Sequence, residues 1–313
     1  MIETANPRNG GQKGHRMPNR PAPIDHPQPG LRRILAPNPS PMTLHGTNTY
    51  MVGTGDVAVI DPGPDDAGHL ATLLSALSTG ERISHIFVTH SHLDHSALAH
   101  KLAAATGAPI LGYGDAFAGR SDQMMQLSKQ GHLAGGEGVD MDFRPDILLK
   151  DGQKTAHSDW SLEAIHTPGH MANHLSFAFE GYLLSGDHVM GWSTSLISPP
   201  DGDMAAFMSS IERLLARSWQ RFFPGHGDAI EVPSQRMHTL RDHRQAREAA
   251  ILRLLGQKPA TPAEITRHLY QDVPVALLAA AERNVLAHLI KLHNQQQVTA
   301  DPRLSPNALF RLA

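Results

Sequence analysis

Residues 89–96 read T-H-S-H-L-D-H-S, which sets His90, His92, Asp94 and His95 inside a six-residue window. Three imidazoles and a carboxylate this close cannot all enter an apolar core without a large cost for buried polar groups, but they can converge on a metal ion. The chain holds 21 histidines, so chance has to be weighed. The pattern H-x-H-x-D-H arises at random in only about 0.6% of such sequences, too seldom for solvated loop histidines to be the better reading. Three later segments carry the same donor types beside glycine: Thr167-Pro168-Gly169-His170, Ser185-Gly186-Asp187-His188 and Pro224-Gly225-His226-Gly227. The donors divide into His90, His92 and His170 for one ion and Asp94, His95 and His226 for a second, with Asp187 bridging. Two divalent ions about 3.5–4 Å apart share a hydroxide, bring the pKa of water to about 7 and stabilise charge developing on a substrate oxygen. The reading is a dinuclear hydrolase that uses a metal-bound hydroxide. Asp94 is also assigned the catalytic role, and the two divalent ions are expected to be zinc, with manganese or iron as alternatives.

Donors scattered over this much chain need rigid elements to bring them together, and the apolar pattern supplies those. Thr47–Gly53 and Val57–Ile60 read as a hairpin across Gly53-Thr54-Gly55, stopped by Asp61-Pro62-Gly63-Pro64. Leu70, Leu73, Leu74 and Leu77 keep helical spacing, Ile83–Val88 is a short apolar strand ending at the histidine cluster, and a helix is expected over Ala97–Ala105. Pro109–Leu111, Leu162–Ile165, Leu175–Phe179 and Tyr182–Leu184 read as further strands. Met204, Phe207, Ile211, Leu214 and Leu215 mark a helix face behind Asp203 as N-cap. Residues 113–142 are polar and Gly-rich and read as a functional loop. Strands and helices alternate with hairpins between them, so the fold class is mixed α/β (α+β), with helices on both faces of two packed sheets.

After His226 the pattern changes. An arginine-rich helix is expected over 234–256, with Arg236, Arg241, Arg244, Arg247 and Arg253 on a solvated face, stopped by Gly256 and Pro259. Thr261-Pro262-Ala263-Glu264 is a capping box, a leucine-rich helix follows from Leu277 to Leu292, and Val298 and Leu309–Leu312 are short strand candidates. Helix, helix and hairpin in so short a stretch read as a winged-helix-like module. The organisation is thus a Pro-rich disordered tail at 1–30, a catalytic domain at 31–232, a linker helix at 233–256 and the small module at 257–313.

Composition removes several function classes. There is no cysteine, so disulfides, thiolate nucleophiles and sulfur metal ligands are excluded. A formal charge of −3 argues against coating nucleic acid by bulk charge. Residues 257–313 hold six basic and four acidic side chains, a net of +2 that neither demands nor forbids RNA. No stretch is apolar enough for a membrane span and the N-terminus lacks the apolar region of a secretory signal, so a cytoplasmic protein is expected, with no membrane partner.

The histidine cluster, the T-P-G-H turn, the S-G-D turn and the P-G-H-G turn together resemble the metallo-β-lactamase superfamily. The segment from Asn38 to Tyr50 (N-P-S-P-M-T-L-H-G-T-N-T-Y) and the small terminal module resemble its lactamase-β-like endoribonuclease branch with a C-terminal winged helix. The resemblance implies a four-layer αββα sandwich with the site at one rim. It also makes Asp61 a group that orients a metal ligand. His174 is read as hydrogen-bonding at the strand entrance, with protonation of a leaving group as the alternative, and His166 and His188 as pointing away from the ligands. His100, His238, His243, His268, His288 and His293 are read as surface or partner-facing. Ser96-Ala97 stands where many members have a glycine pair, and Asp187 without any cysteine resembles the thioesterase and phosphodiesterase groups rather than true β-lactamases. The wing lacks a glycine at Gln295-Gln296-Gln297.

Three functional readings compete. The leading one is a phosphodiesterase acting on single-stranded RNA, guided by the arginine helix and the winged module. The alternative is an acyl hydrolase for a thioester, ester or lactone, of the glyoxalase II kind, whose partner is a small-molecule acyl substrate. The third is a nucleic-acid-binding regulator with a vestigial metal site, which a complete donor set disfavours. Whether the chain forms a homodimer is left open.

Overall fold

The structure is a computed structural model, and the residues it describes are 22–129 and 138–313. One sheet has seven strands in chain order: β1 (Ile24–Gln28), β2 (Leu31–Leu35), β3 (Asn48–Val52), β4 (Asp56–Ile60), β5 (Arg82–Phe87), β6 (Ile110–Gly112) and β7 (Ile147–Leu148). The first four form an antiparallel meander and the last four run parallel. Their crossovers carry α1 (Ala67–Ser75), α2 (Leu93–Ser96), α3 (Ala99–Thr106) and α4 (Asp122–Lys129). The second sheet holds β8 (Lys154–His157), β9 (Trp160–His166), β10 (Leu175–Phe179), β11 (Tyr182–Gly186) and β12 (Arg221–Pro224), with α5 (Met204–Leu215) connecting β11 to a parallel β12.

Strand alternation builds the layers. Ala58 and Ile60 face one way with Tyr50 and Val52, meeting Phe177, Phe179, Leu184 and Phe223 of the other sheet in a shared core. Val57, Val59 and Met51 face the opposite way, onto Leu73 of α1 and Leu102 of α3. On the far side, Ala178, Leu183 and Phe222 pack against Phe207, Ile211 and Leu214 of α5 and Met237 and Leu240 of α6 (Pro233–Leu255). The order is helices, sheet, sheet, helices: the expected αββα sandwich.

The terminal module contains α7 (Pro262–Leu269), a 3₁₀ turn at Val275–Leu277, α8 (Leu278–Asn294) and the hairpin of β13 (Val298–Asp301) with β14 (Leu309–Leu312). Thr261 and Glu264 form the capping box reciprocally. Ile265, Ala281, Val285, Leu289, Val298 and Phe310 share a core with Ile251 and Leu254 at the end of α6. The turn before β13 closes without glycine because Gln296 adopts φ 58. No helix among the described residues is long and apolar enough to cross a membrane.

Several expectations need correction. Residues 1–21 of the expected tail lie outside the described residues, but the sheet begins at Ile24, within the segment read as tail. Its sequence IDHPQ has one strong strand former, so the pattern is silent; pairing of Ile24 with Ile34 and an Asp25–Arg33 ion pair hold it. The helix expected over Ala97–Ala105 is α3, which starts two residues later at Ala99; the short α2 precedes it, and between them Leu98 donates its N–H to Gly63 O. Within the polar insert, α4 buries Met124 and Leu127 against the terminal module. The arginine helix is not a uniformly solvated face: Arg244 is fully buried, with its guanidinium over the Phe207 ring. His288 is buried too, with Nδ1 3.1 Å from Glu248 on α6.

Candidate metal centre

The parallel strand β5 ends at the sandwich rim, and the next residues, 88–92, carry the first ligands before α2 begins. His90 and His92 alternate around Ser91, while Asp94 and His95 fall in the first turn of α2. His170 follows β9, Asp187 follows β11 and His226 follows β12, so the second sheet delivers three donors from three strand ends at the same rim.

His92 Nδ1 lies 2.9 Å from His90 Nε2 and 3.0 Å from His170 Nε2. His226 Nε2 stands 3.3 Å from His95 Nε2 and 3.2 Å from Asp94 Oδ2. Asp187 joins the halves, with Oδ2 3.7 Å from His170 Nε2 and 3.4 Å from His226 Nε2, and Oδ1 3.5 Å from His95 Nε2. The groupings His90–His92–His170, Asp94–His95–His226 and His90–His95–Asp187 each have donor atoms within 4.8 Å of one another. All seven residues assigned from sequence therefore come together.

The chemistry of the donor set suits metal cations. Asp187 Oδ1 is buried with no hydrogen-bond partner, an arrangement that costs heavily unless a cation meets it. Nitrogen separations of 2.9–3.0 Å in the three-histidine half put these atoms as close together as neighbouring ligands of one ion at metal–nitrogen distances of about 2.0–2.1 Å. Burial is the first cause acting on every imidazole here. It presses His92 down to about 3, helped by His170, and lowers His90 and His170 as well, so this half is held neutral and ready to ligate. In the other half burial opposes the charged imidazole but loses to the carboxylates: Asp94, Asp187 and Asp61 raise His95, and Asp187 and Asp94 lift His226 to about 10. The carboxylates there call for positive charge, which a divalent ion would supply in place of those protons.

Four of the five imidazoles are aimed from behind. His95 donates Nδ1–H to Asp61 Oδ2 at 2.8 Å, and Asp61 also receives the Thr89 N–H at 2.7 Å and hydroxyl at 2.8 Å; Thr89 Oγ1 in turn lies 2.9 Å from His90 Nδ1. His170 donates Nδ1–H to Leu196 O at 2.7 Å, and His226 donates Nδ1–H to Gly46 O at 3.1 Å. These partners leave the Nε2 atoms of all four rings for metal. His174 accepts the Asp187 N–H at Nε2 (3.1 Å) and meets Thr167 Oγ1 at Nδ1, so it positions Asp187; being fully buried, it cannot reach a leaving group. His188 packs on Phe207, and His166 bonds Ala172 O beside Tyr113, both outside the donor set.

The segment 46–50 belongs to the site more closely than its residue types announced. Thr47 bridges His226 and its hydroxyl lies 3.4 Å from Asp94 Oδ2. Asn48 Nδ2 donates to Pro224 O and Gly227 O, and Tyr50 donates its hydroxyl to Pro224 O, clamping the turn that presents His226. Loop 190–198 was missed by the sequence reading. Its Ser195 hydroxyl donates to Asp187 O and its Leu196 carbonyl orients His170. Neither has a motif; a serine hydroxyl and a main-chain carbonyl leave no mark in sequence.

In front of the donors lies a cavity of about 560 Å³. Met42, Met190, Trp192, Leu196, Leu277 and Ala280 provide much of its wall, the last two from the terminal module.

The family described as the metallo-beta-lactamase superfamily matches residues 42–230, and the beta-lactamase associated winged helix domain matches residues 261–303. A beta-lactamase-like protein 2 homolog of Drosophila melanogaster is 32% identical over 275 residues, covering 84% of this chain and 87% of that protein. An atrochrysone carboxyl ACP thioesterase of Aspergillus fumigatus is 29% identical over 250 residues, covering 77% of this chain and 70% of that protein. The crystal structure of a metallo-beta-lactamase family protein from Thermus thermophilus superimposes with a TM-score of 0.74 at 24% identity, covering 91% of this chain and 99% of that one.

Proposed function

The chain belongs to the metallo-beta-lactamase superfamily of hydrolases and carries its associated winged helix, and on that footing we propose that it hydrolyses an acyl thioester or ester with two divalent metal ions. The observation that carries this reading is the cavity lining. Arg283 is the sole lysine or arginine among the described residues that border the cavity, and although polar side chains alternate with apolar ones around it, most of the surface exposed to the cavity is apolar. A groove for single-stranded RNA requires several cations along the phosphates and stacking faces for the bases. The arginine helix does not supply them. Arg236 donates to Met190 O and Ser193 O, Arg244 to Ser195 O, and Arg247 to Leu269 O, while Arg241 pairs with Asp242 and the exposed Arg253 does not border the cavity. The likeness to a thioesterase supports the same choice.

His90, His92 and His170 would hold one ion, Asp94, His95 and His226 the other, and Asp187 both. When bound, such a pair supplies a water of lowered pKa and a Lewis acid for the carbonyl oxygen; zinc suits the nitrogen and oxygen donors, and manganese or iron suit them next. Asp94 is the most exposed carboxylate of the cluster, its side chain 28% accessible at the cavity. It accepts a hydrogen bond from the attacking water and passes the released proton to the leaving group as the acyl C–S or C–O bond breaks. The apolar wall from Met42 to Leu277 takes the acyl chain and excludes competing water.

A phosphodiesterase acting on single-stranded RNA is the second reading, favoured by the winged-helix module. One experiment separates them: metal-loaded protein is offered an acyl thioester and labelled single-stranded RNA side by side. Thioester hydrolysis without RNA cleavage is expected. RNA cleavage without thioester hydrolysis overturns the acyl reading.

A further inference from the structure

Asn284 is fully buried on α8, in the terminal module, away from the seven donors. Its Oδ1 accepts the N–H of Ile197 at 3.0 Å. That N–H belongs to the same peptide unit as the Leu196 carbonyl, which accepts Nδ1–H from His170 at 2.7 Å. The far nitrogen of His170 faces His92 Nδ1 at 3.0 Å and Asp187 Oδ2 at 3.7 Å. An amide oxygen, one peptide plane and one imidazole thus form a continuous chain from the winged helix to the donor cluster.

We infer that Asn284 is a positioning residue for His170, coupling the winged helix to the three-histidine half of the centre; the inference rests on reading His170 as a metal ligand. Two physical effects act along the chain. A bond accepted from the N–H side of a peptide polarises its carbonyl, so the Leu196 oxygen becomes a stronger acceptor and His170 a more basic ligand. The same bond fixes the plane of the peptide and so the ring orientation of His170. The rest of the loop is held from the same side. Arg244 donates to Ser195 O at 2.5 Å, Arg236 donates to Met190 O and Ser193 O, and the Ser195 hydroxyl donates to Asp187 O. Loop 190–198 has no regular structure of its own, so the hydrogen bonds it makes to α6 and α8 set its shape. The neighbouring turn of α8 brings Ala280 and Arg283 to the cavity. In this protein the winged helix is a wall and brace of the metal site.

The test compares Asn284→Leu, which keeps volume and loses the acceptor, with Leu289→Ala, which removes buried apolar volume from the same helix core without touching the chain of bonds. Metal affinity is read by chelator competition and folding by thermal unfolding. Asn284→Leu is expected to weaken one of the two ions by about 10–100-fold and leave the other unchanged. Leu289→Ala is expected to lower Tm while both ions keep wild-type affinity. Wild-type affinity for both ions in Asn284→Leu overturns the inference, as does equal weakening in Leu289→Ala. Should Asn284→Leu not fold, the wild-type protein serves: removing metal is expected to shift the Ile197 amide resonance, and an unmoved resonance overturns the coupling. A wild-type protein that binds no metal sinks instead the reading of the centre itself.

Discussion

Asp61 Oδ2 accepts the Nδ1–H of His95 at 2.8 Å, while the same carboxyl group receives the N–H and hydroxyl of Thr89. One buried carboxylate therefore orients a ligand in each half, His95 directly and His90 through Thr89. The residue sits at φ 53, a left-handed conformation that aspartate and asparagine tolerate and most others do not. Asp61→Asn keeps that backbone and removes the charge. Metal affinity is expected to drop by about 10–100-fold, read by chelator competition, with Tm of the metal-free protein little changed. Wild-type metal retention would show that Asp61 is only a turn residue.

Gly225 leaves room for the bridge. A Cβ at this position would lie 2.5 Å from Asp187 Oδ1 and 2.7 Å from His95 Cε1, closer than real Cβ atoms come. Neither neighbour is a free side-chain end, since both are aimed at the centre. Gly225→Ala is expected to displace them and lower kcat by about 100-fold or more, the scale for misplacing catalytic groups by about 1 Å. Circular dichroism should show the sandwich intact. Turnover within a few-fold of wild type would place Asp187 away from the reaction.

His69 governs part of the acid stability. Burial lowers its imidazole from 6.5 to about 4, with Asp66 pulling the other way, and its Nε2 lies 2.9 Å from Thr49 Oγ1. As pH falls through about 6.5 the unfolded chain takes up this proton while the folded one does not. The stability contributed by neutral His69 is thus complete above pH 6.5, declines as pH falls towards 4 and is absent below. The difference corresponds to about 3 kcal/mol. His69→Gln keeps a partner for Thr49 and cannot titrate. Chemical denaturation of the metal-free proteins at pH 7 and 4 should show the wild type losing more stability than the variant by that order. Equal losses would mean His69 is protonated in the folded state.

How much of this was readable in advance follows from where each signal lies. His90, His92, Asp94 and His95 could be identified because the donors are close in sequence and polar where an apolar strand has just ended. The sandwich was readable because Val57 to Ile60 and Leu175 to Phe179 are apolar enough to betray strands. β1 was not, since pairing and an ion pair hold IDHPQ rather than a hydrophobic face. Asn284, and the buried role of Arg244 behind its reading as a solvated residue, were not legible because their value depends on main-chain atoms of loop 190–198, about which side-chain patterns say nothing. The arginine count of α6 even pointed the wrong way, since charge in a sequence carries no direction.

The cavity offers a graded test of substrate class. Each methylene moved from water into an apolar wall contributes about 0.8 kcal/mol, a factor of about four. If the acyl chain lies along Met42, Trp192 and Leu277, kcat/KM should rise by about that factor per added carbon until the cavity is filled. Ala280, on the wall given by α8, is placed to shorten this range. Ala280→Phe is expected to leave an acetyl thioester unaffected and to abolish the gain for long acyl chains. The measurement is kcat/KM against acyl length for both proteins under metal saturation. A wild-type profile flat in chain length would show that the apolar wall does not hold the acyl group. An Ala280→Phe profile matching the wild type would instead send the chain along another side of the cavity, away from the terminal module.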